Sequence, residues 1–170
     1  MVDRLWAGWR AAYLEDLDAG PDPVHAGPGQ SLFESILGGG RPDDETFILH
    51  RGRHCFSLLN LYPYTTGHVL VLPNRAVQNL EDLDPETAAE LWATVRDAVV
   101  AVKAAYRPDG VNVGANLGRA AGAGIPDHLH VHVLPRWLGD TNFTMTVAET
   151  RVIPESLQQT WLKLRAAWPG

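Results

Sequence analysis

Cysteine is almost absent from this chain of 170 residues, because Cys55 is the only one. A single thiol excludes an intramolecular disulfide framework and a Cys-x-x-Cys metal knuckle. Such cysteine usage suits a reducing compartment, so the expected location is the cytoplasm. Residues 1–20 carry charges every few positions and have no apolar core of the kind found in signal peptides, which agrees with that expectation.

An excess of positive charge is also missing. The chain has 14 Lys and Arg against 20 Asp and Glu, a formal net charge of -6. A protein that holds a long nucleic acid by neutralising its phosphates needs a basic face. We therefore expect no nucleic-acid polymer as a partner, whereas small anionic ligands remain compatible with this charge.

Long apolar runs are missing as well. Residues 55–74 contain no Asp, Glu, Lys or Arg and are as long as a membrane span, but Pro, Gly, His and Asn interrupt them. Their apolar residues form two short runs, which is typical of two strands joined by a turn. We expect no membrane partner. A hydrophobic content of 45% is enough for one globular domain with its own core.

Apolar periodicity predicts strands with helices inserted between them. The predicted strands are residues 46–50, 54–60, 67–73, 111–117, 127–134 and, at an edge, 143–149. The predicted helices are residues 4–17, 84–106 and 154–167, and a Gly- and Pro-rich loop covers 18–31. Residues 51–53 are expected to form a hairpin turn at Gly52. This order indicates an α+β fold.

The helix over 84–106 has the clearest signals. Asp84 is a good N-cap, and Pro85 suits the first helical position. Its predicted buried stripe is Ala88, Leu91, Trp92, Val95, Val99, Val102 and Tyr106. For the final helix, the predicted stripe is Leu157, Trp161, Leu164 and Trp168.

Residues 127–137, DHLHVHVLPRW, place histidines at positions 128, 130 and 132. A helix would turn His130 away from the other two, whereas a strand projects all three from one face. As metal ligands they are poorly spaced, since the outer two start about 13 Å apart on a strand and zinc needs nitrogens about 2 Å away. As a purely structural row, each buried imidazole would need a polar partner.

Acid-base and nucleophilic chemistry on phosphorus is the interpretation that best explains the row. An imidazole with an ordinary pKa near 6.5 is largely neutral at pH 7 and can attack an electrophile. The central His130 is best placed to attack, and its two neighbours flank the reacting group. The preceding loop contains Gly118 and Gly124, where backbone N–H groups can approach phosphate oxygens closely.

The segment HLHVHVLP resembles the His-φ-His-φ-His-φ-φ signature of the histidine triad (HIT) family of nucleotide hydrolases and transferases. The blocks LLNLYPYTTGHVLVLP and NLGRAAGAG resemble further parts of that family. The segments PRWLGDTNF and LWAGWRAAYL are similar to its Fhit-like branch, in particular to actinobacterial diadenosine tetraphosphate phosphorylases. The resemblance implies one HIT domain over residues 1–170, with an N-terminal helix, a C-terminal helical extension, a five-stranded antiparallel sheet and flanking helices.

The resemblance also implies roles for the triad and its neighbours. His130 is the expected nucleophile, which forms a covalent nucleotidyl-histidine. His132 is expected to hydrogen-bond the phosphoryl oxygens, and His128 to support the leaving group or orient its neighbours. Asn60 matches a ribose-contacting position, and His68 a group close to the triad, although a histidine there can also simply cap a strand.

Other positions are expected to bind the substrate. Leu58 and Leu70 fall where apolar residues wall the base, or they are plain core. Asn116 and Arg119 precede the triad and are candidates for phosphate contact together with Gly118 and Gly124, although Arg119 can equally be a solvated surface residue.

The chain departs from the family pattern in its glycine loop and near its N-terminus. Gly124 stands where many members have Gln, and the loop is one residue longer. Arg75 replaces a histidine of many members, and SLFESIL offers no thiols, so we expect no metal site.

The expected activity is phosphorolysis of diadenosine tetraphosphate to ADP and ATP, with the nucleotide and inorganic phosphate as partners. The alternatives are a hydrolase of dinucleoside polyphosphates or nucleoside phosphoramidates that releases AMP, and a nucleotide-binding sensor with little activity. No cofactor is expected beyond Mg²⁺ that accompanies the nucleotide. The resemblance and six tryptophans favour a homodimer or homotetramer.

Overall fold

The structure is a computed structural model that describes residues 29–141 and 153–169. The helix predicted over 4–17, most of the loop over 18–31 and the edge strand predicted over 143–149 lie outside the described residues. Within the described parts, no helix is both long enough and apolar enough to cross a membrane.

The core of the molecule is a five-stranded antiparallel sheet in the order β1-β2-β3-β5-β4. The predicted α+β fold and its five-stranded sheet are therefore confirmed. The strands are β1 (Ile48–Arg51), β2 (Cys55–Leu59), β3 (Val69–Pro73), β4 (Gly110–Ala115) and β5 (Val131–Arg136). The helices are α1 (Leu32–Gly38), α2 (Asp43–Thr46), α3 (Pro85–Tyr106) and α4 (Leu157–Ala167), with short 3-10 turns at Leu80–Asp82 and Arg119–Ala121.

Helix α3 covers one face of the sheet and begins where the sequence predicts. The carboxylate of Asp84 accepts a hydrogen bond from the backbone of Thr87 and caps the helix. Trp92, however, was wrongly placed in the buried stripe, because it is 50% exposed. It follows Leu91, which is fully buried, by about 100° around the helix. The sheet instead packs against Ala98 and Ala101, whose small side chains allow a close approach.

Helix α4 fastens the edge strand β1 to this same layer. It begins at Leu157 after the N-cap Ser156, three residues later than the predicted start. Leu164 is fully buried as predicted. The indole of Trp161 donates to the backbone carbonyl of Ile48, and Arg165 donates to that of Leu49, each at 2.8 Å. These bonds satisfy carbonyl groups of β1, which is otherwise an edge strand.

Helix α1 covers part of the opposite face. Phe33 of α1 packs with apolar side chains that point away from α3, and these are Ile48, Phe56, Leu58, Leu70 and Leu72. Partly buried Ile36, Leu37 and Ile125 border this second cluster. The sheet therefore has two apolar faces. Helix α1 packs on the face opposite α3, and the histidines lie on that same face, at the end of the sheet formed by β5.

The hairpin between β1 and β2 turns at residues 52–54, one position later than predicted, with Gly52 in the turn as expected, and it depends on Glu90 of α3. One carboxylate oxygen of Glu90 accepts hydrogen bonds from the backbone N–H groups of His54 and Cys55, at 2.8 and 2.9 Å. A Cβ atom at Gly52 would collide with this carboxylate and would lie 2.8 Å from the carbonyl oxygen of Cys55. Glycine is thus required here by a close approach.

We expect Glu90→Ala to lower the free energy of unfolding by about 2 kcal/mol, because it leaves two backbone donors without their charged acceptor. Urea denaturation of the variant and the unchanged protein measures this difference. The matched control is Glu86→Ala on the same helix, whose exposed carboxylate makes a weak contact with His54. Equal losses in the two variants would contradict the assignment to the hairpin bonds.

Candidate active site

The predicted strand of the triad begins later than expected. Its ladder with β3 pairs Val71 with Val131, Leu70 with His132 and Val69 with Val133. Residues 127–130 therefore precede β5 instead of belonging to it. All three histidines are nevertheless buried, with exposed fractions of 0% for His128 and 8% for His130 and His132.

The hydrogen bonds of His130 leave one defined nitrogen for chemistry. Its Nδ1 lies 2.8 Å from the backbone carbonyl oxygen of His128. Because a carbonyl oxygen only accepts, Nδ1 carries the proton, and the neutral ring then has its lone pair at Nε2. Burial lowers the pKa of His130 below 6.5, although the bond to the His128 carbonyl raises it in part. At neutral pH the ring is therefore uncharged, with a lone pair at Nε2.

A second chain of hydrogen bonds fixes the tautomer of His132. The backbone N–H of Tyr64 donates to Nδ1 of His68 at 3.1 Å, so the proton of a neutral His68 sits at Nε2. That Nε2–H lies 2.9 Å from Nδ1 of His132 and donates to it. His132 in its neutral form therefore carries its own proton at Nε2. The arrangement makes His132 a hydrogen-bond donor on the side of the ring away from His68.

Both ring nitrogens of His128 contact protein groups. Nε2 lies 2.8 Å from the carbonyl oxygen of Pro73, and Nδ1 lies 2.6 Å from the hydroxyl of Ser31. Burial lowers the pKa of His128, and the Pro73 carbonyl and Glu34 oppose that shift in part. With neither nitrogen directed to a substrate in this arrangement, the geometry favours the orienting role of His128 over support of a leaving group.

His68 and Asn60 lie directly beside the triad. The amide nitrogen of Asn60 is 3.3 Å from Nδ1 of His68, and its Oδ1 accepts from the backbone of Tyr62 at 3.1 Å. His68 is 1% exposed and its ring centroid is 5.1 Å from that of His132. Its place in the hydrogen-bond chain to His132 is more than the capping of a strand.

Leu58 and Leu70 form a row with the third histidine. Leu58 pairs with Leu70 across β2 and β3, and Leu70 pairs with His132 across β3 and β5, so all three side chains point to one face. Both leucines are 4% exposed and belong to the second apolar cluster. They are core residues, and half-buried Ile125 is the more accessible apolar neighbour.

The glycine loop joins β4 to the triad. Ala115, at the end of β4, pairs with Val131, so the loop over 116–127 starts and ends beside the histidines. Gly118 adopts a φ of 78°, which favours glycine, and the Asn116 amide donates to the carbonyl of Gly122 at 3.4 Å. Arg119 is exposed and Gly124 is half-buried. The Asn116 side chain therefore stabilises the loop itself.

Ser31, Phe33 and Tyr64 contact the triad, and the sequence analysis did not select them. The ring centroid of Phe33 lies 5.4 Å from that of His128 and 5.6 Å from that of His130. Tyr64 stacks on His132 with centroids 5.7 Å apart. The pattern Ser-x-x-Glu at 31–34 is a readable capping box, but the contact to a histidine 97 residues away is not.

A cavity of about 230 Å³ adjoins His68 on the α4 side of the sheet, with Leu59, Thr66, Glu155 and Leu157 in its wall. None of the three triad side chains lines it. The triad side chains therefore lie on the opposite face of the sheet, away from this cavity.

Comparison with known proteins agrees with this arrangement. The HIT domain family model matches residues 41–137. An AP-4-A phosphorylase of Mycobacterium tuberculosis is 41% identical over 98% of this chain and 85% of its own length. An asymmetrical bis(5'-nucleosyl)-tetraphosphatase of Schizosaccharomyces pombe is 36% identical over 55% of this chain and 50% of its own length.

Among solved structures, a Zn-bound histidine triad family protein of Mycobacterium smegmatis is 30% identical. It superposes with a TM-score of 0.67 over 83% of this chain and 94% of its own. The family match, the nearly full-length relative and the three buried histidines at 128, 130 and 132 lead to one conclusion: the chain belongs to the HIT family.

Proposed function

We propose that the protein cleaves diadenosine tetraphosphate by phosphorolysis, with inorganic phosphate as the second substrate. The observation that carries this proposal is the hydrogen bond from Nδ1 of His130 to the His128 carbonyl, because it leaves Nε2 as a buried, neutral nucleophile. Similarity over almost the whole chain to an AP-4-A phosphorylase supports the choice of substrate. The same similarity supports phosphate as the acceptor.

The reaction has two displacements at one phosphorus atom. Nε2 of His130 forms a bond to the phosphorus next to one adenosine, the bridging P–O bond breaks, and ATP leaves. An oxygen of inorganic phosphate then attacks the nucleotidyl-histidine, the P–N bond breaks, and ADP is released. The Nε2–H of His132 donates to the phosphoryl oxygens, on which negative charge accumulates in both steps.

The remaining substrate contacts belong to the loops beside the triad. We assign Asn60 to the ribose and the backbone N–H groups around Gly118 and Gly124 to the distal phosphates. Exposed Arg119 attracts the polyphosphate, whose charge Mg²⁺ also screens when it accompanies the nucleotide. No resident cofactor takes part in this mechanism, which runs in the cytoplasm.

A second candidate function is hydrolysis. The tetraphosphatase of Schizosaccharomyces pombe matches over about half of this chain. Water in place of phosphate would convert the same nucleotidyl-histidine to AMP. Whether phosphate or water attacks the nucleotidyl-histidine depends on the groups around the position from which the attack takes place. The glycine loop before the triad, which is longer than in the common family pattern, is the segment that distinguishes this chain.

We expect diadenosine tetraphosphate to yield ADP and ATP in phosphate buffer, with AMP as a minor product. Separation of the products with and without phosphate measures this directly. His130→Ala is expected to remove turnover and the covalent adduct seen by intact mass, because no other nitrogen replaces Nε2. AMP formed at one rate in both buffers would establish the hydrolase instead. Unchanged turnover in His130→Ala would exclude both mechanisms.

The pH dependence follows from the lowered pKa of His130. The neutral form reacts, so activity is present above the pKa in the folded protein and is lost as the pH falls through it. Because burial places that pKa below 6.5, the midpoint of the acid limb of kcat/KM is expected below pH 6.5. A series of initial rates from pH 4.5 to 8 measures it, and an acid midpoint above 6.5 would contradict the assignment.

We further propose that the protein is a homodimer joined through β4. This strand lies at the end of the sheet, its residues 112–115 are exposed, and Val113 is 43% exposed. An edge strand offers unpaired backbone groups to a second copy. We expect light scattering to report twice the chain mass, and Val113→Lys to yield monomers. Val100→Lys, on the exposed side of α3, is the matched control, and a monomeric unchanged protein would refute the proposal.

A further inference from the structure

The nucleophile lies just outside the hydrogen-bonded ladder of the sheet. The pairing of β5 with β3 and with β4 ends at Val131 in both cases. Residues 128–130 are therefore held by other contacts. One is a backbone bond, from the N–H of Leu129 to the carbonyl of Val77 at 2.7 Å. The position of the His128 carbonyl, which orients His130, must depend on how residue 128 itself is anchored.

The side chain of His128 is anchored at both ends of its ring. Because the carbonyl of Pro73 only accepts, Nε2 of His128 carries the proton. Its Nδ1 is then an acceptor, and the hydroxyl of Ser31 donates to it across 2.6 Å. His128 is completely buried, so water does not easily replace a lost partner.

Ser31 is in turn held rigidly from two sides. Its Oγ accepts from the backbone N–H of Glu34 at 3.1 Å and thereby caps α1. The carboxylate of Glu34 accepts from the backbone of Ser31 at 2.9 Å and from that of Ala76 at 2.8 Å. The first turn of α1 is thus tied to the segment that follows β3.

Phe33, in the same turn, adds an apolar contact. It is 5% exposed and packs against the rings of both His128 and His130. The first turn of α1 therefore contacts the triad through a hydrogen bond and through an aromatic ring. Of these two contacts, only the hydroxyl of Ser31 selects a tautomer of His128.

We propose that Ser31 is a positioning residue for nucleotidyl transfer, a role that rests on the proposed function. Donation from its hydroxyl holds His128 in the Nε2–H tautomer and in its place against Pro73. The His128 carbonyl then stays where it binds Nδ1–H of His130 and directs the Nε2 lone pair to the substrate. Ser31 acts through His128 and does not touch the substrate.

Three variants separate this role from simple capping of α1. Ser31→Thr keeps the hydroxyl and the cap. Ser31→Asp keeps the cap, because Asp and Ser are comparable N-caps, but an ionised carboxylate has no proton to donate to Nδ1. Ser31→Ala loses both functions. If Ser31 only caps α1, Ser31→Asp should preserve activity better than Ser31→Thr. If Ser31 donates a hydrogen bond to His128, only Ser31→Thr should preserve activity.

We expect kcat for diadenosine tetraphosphate to fall about tenfold in Ser31→Ala and in Ser31→Asp, because each variant loses one hydrogen bond. KM is expected to stay within about twofold of the value for the unchanged protein. Ser31→Thr is expected to restore kcat. The melting temperature should fall in the Ala variant and stay near that of the unchanged protein in the Asp variant. Full kcat in Ser31→Asp would overturn the proposal.

Nitrogen-15 NMR of the histidine rings gives a readout that does not need turnover. The unchanged protein is expected to show His128 as the Nε2–H tautomer with a hydrogen-bonded Nδ1. In the Ala and Asp variants the Pro73 carbonyl still favours the Nε2–H form, so we expect the Nδ1 signal to shift because its hydrogen-bond donor is lost. An unchanged His128 signal in Ser31→Ala would overturn the role of Ser31, whereas absence of turnover in the unchanged protein would count against the proposed function alone.

Discussion

The hydrogen bond between Nδ1–H of His130 and the carbonyl of His128 decides which nitrogen of the His130 ring keeps its lone pair. It joins residues two positions apart, outside the ladder of the sheet, so its geometry depends on everything that fixes residue 128. Pro73 and Ser31 supply those contacts on opposite sides of the His128 ring. The His130 ring is thus held by a backbone carbonyl, and the side chain of the same residue 128 is held by Pro73 and by Ser31, the N-cap of α1.

The burial of four histidines on one side of a sheet is tolerated because each ring has at least one nitrogen with a polar partner. His68 and His132 form a directional pair, begun by the backbone N–H of Tyr64. His128 and His130 use carbonyl oxygens as acceptors. Desolvation then favours the neutral rings, and this lowers the pKa of His128 and His130. The same burial that is costly for a charged group keeps the His130 ring uncharged at neutral pH.

Much of the fold was predictable, because its signals are local. The cap at Asp84, the hairpin glycine at position 52 and the alternation around His130 each specify a conformation within a few residues. Trp92 shows the limit of such signals. A helical stripe drawn from hydrophobicity includes it. In the structure, however, only a narrow strip of α3 contacts the sheet, and Ala98 and Ala101 are the residues buried in that strip. Which apolar side chains are buried depends on the surface opposite them.

Helices α1 and α2 were not predicted. By itself, the sequence determined the succession of the five strands and of helices α3 and α4 along the chain, and the close placement of three histidines. It determined these because backbone propensity and side-chain alternation act over short distances. Only the tertiary structure decided the tautomers of His128 and His132, since both depend on groups from distant parts of the chain, Ser31 for His128 and His68 for His132. Partners 64 and 97 residues apart have no signature in local sequence.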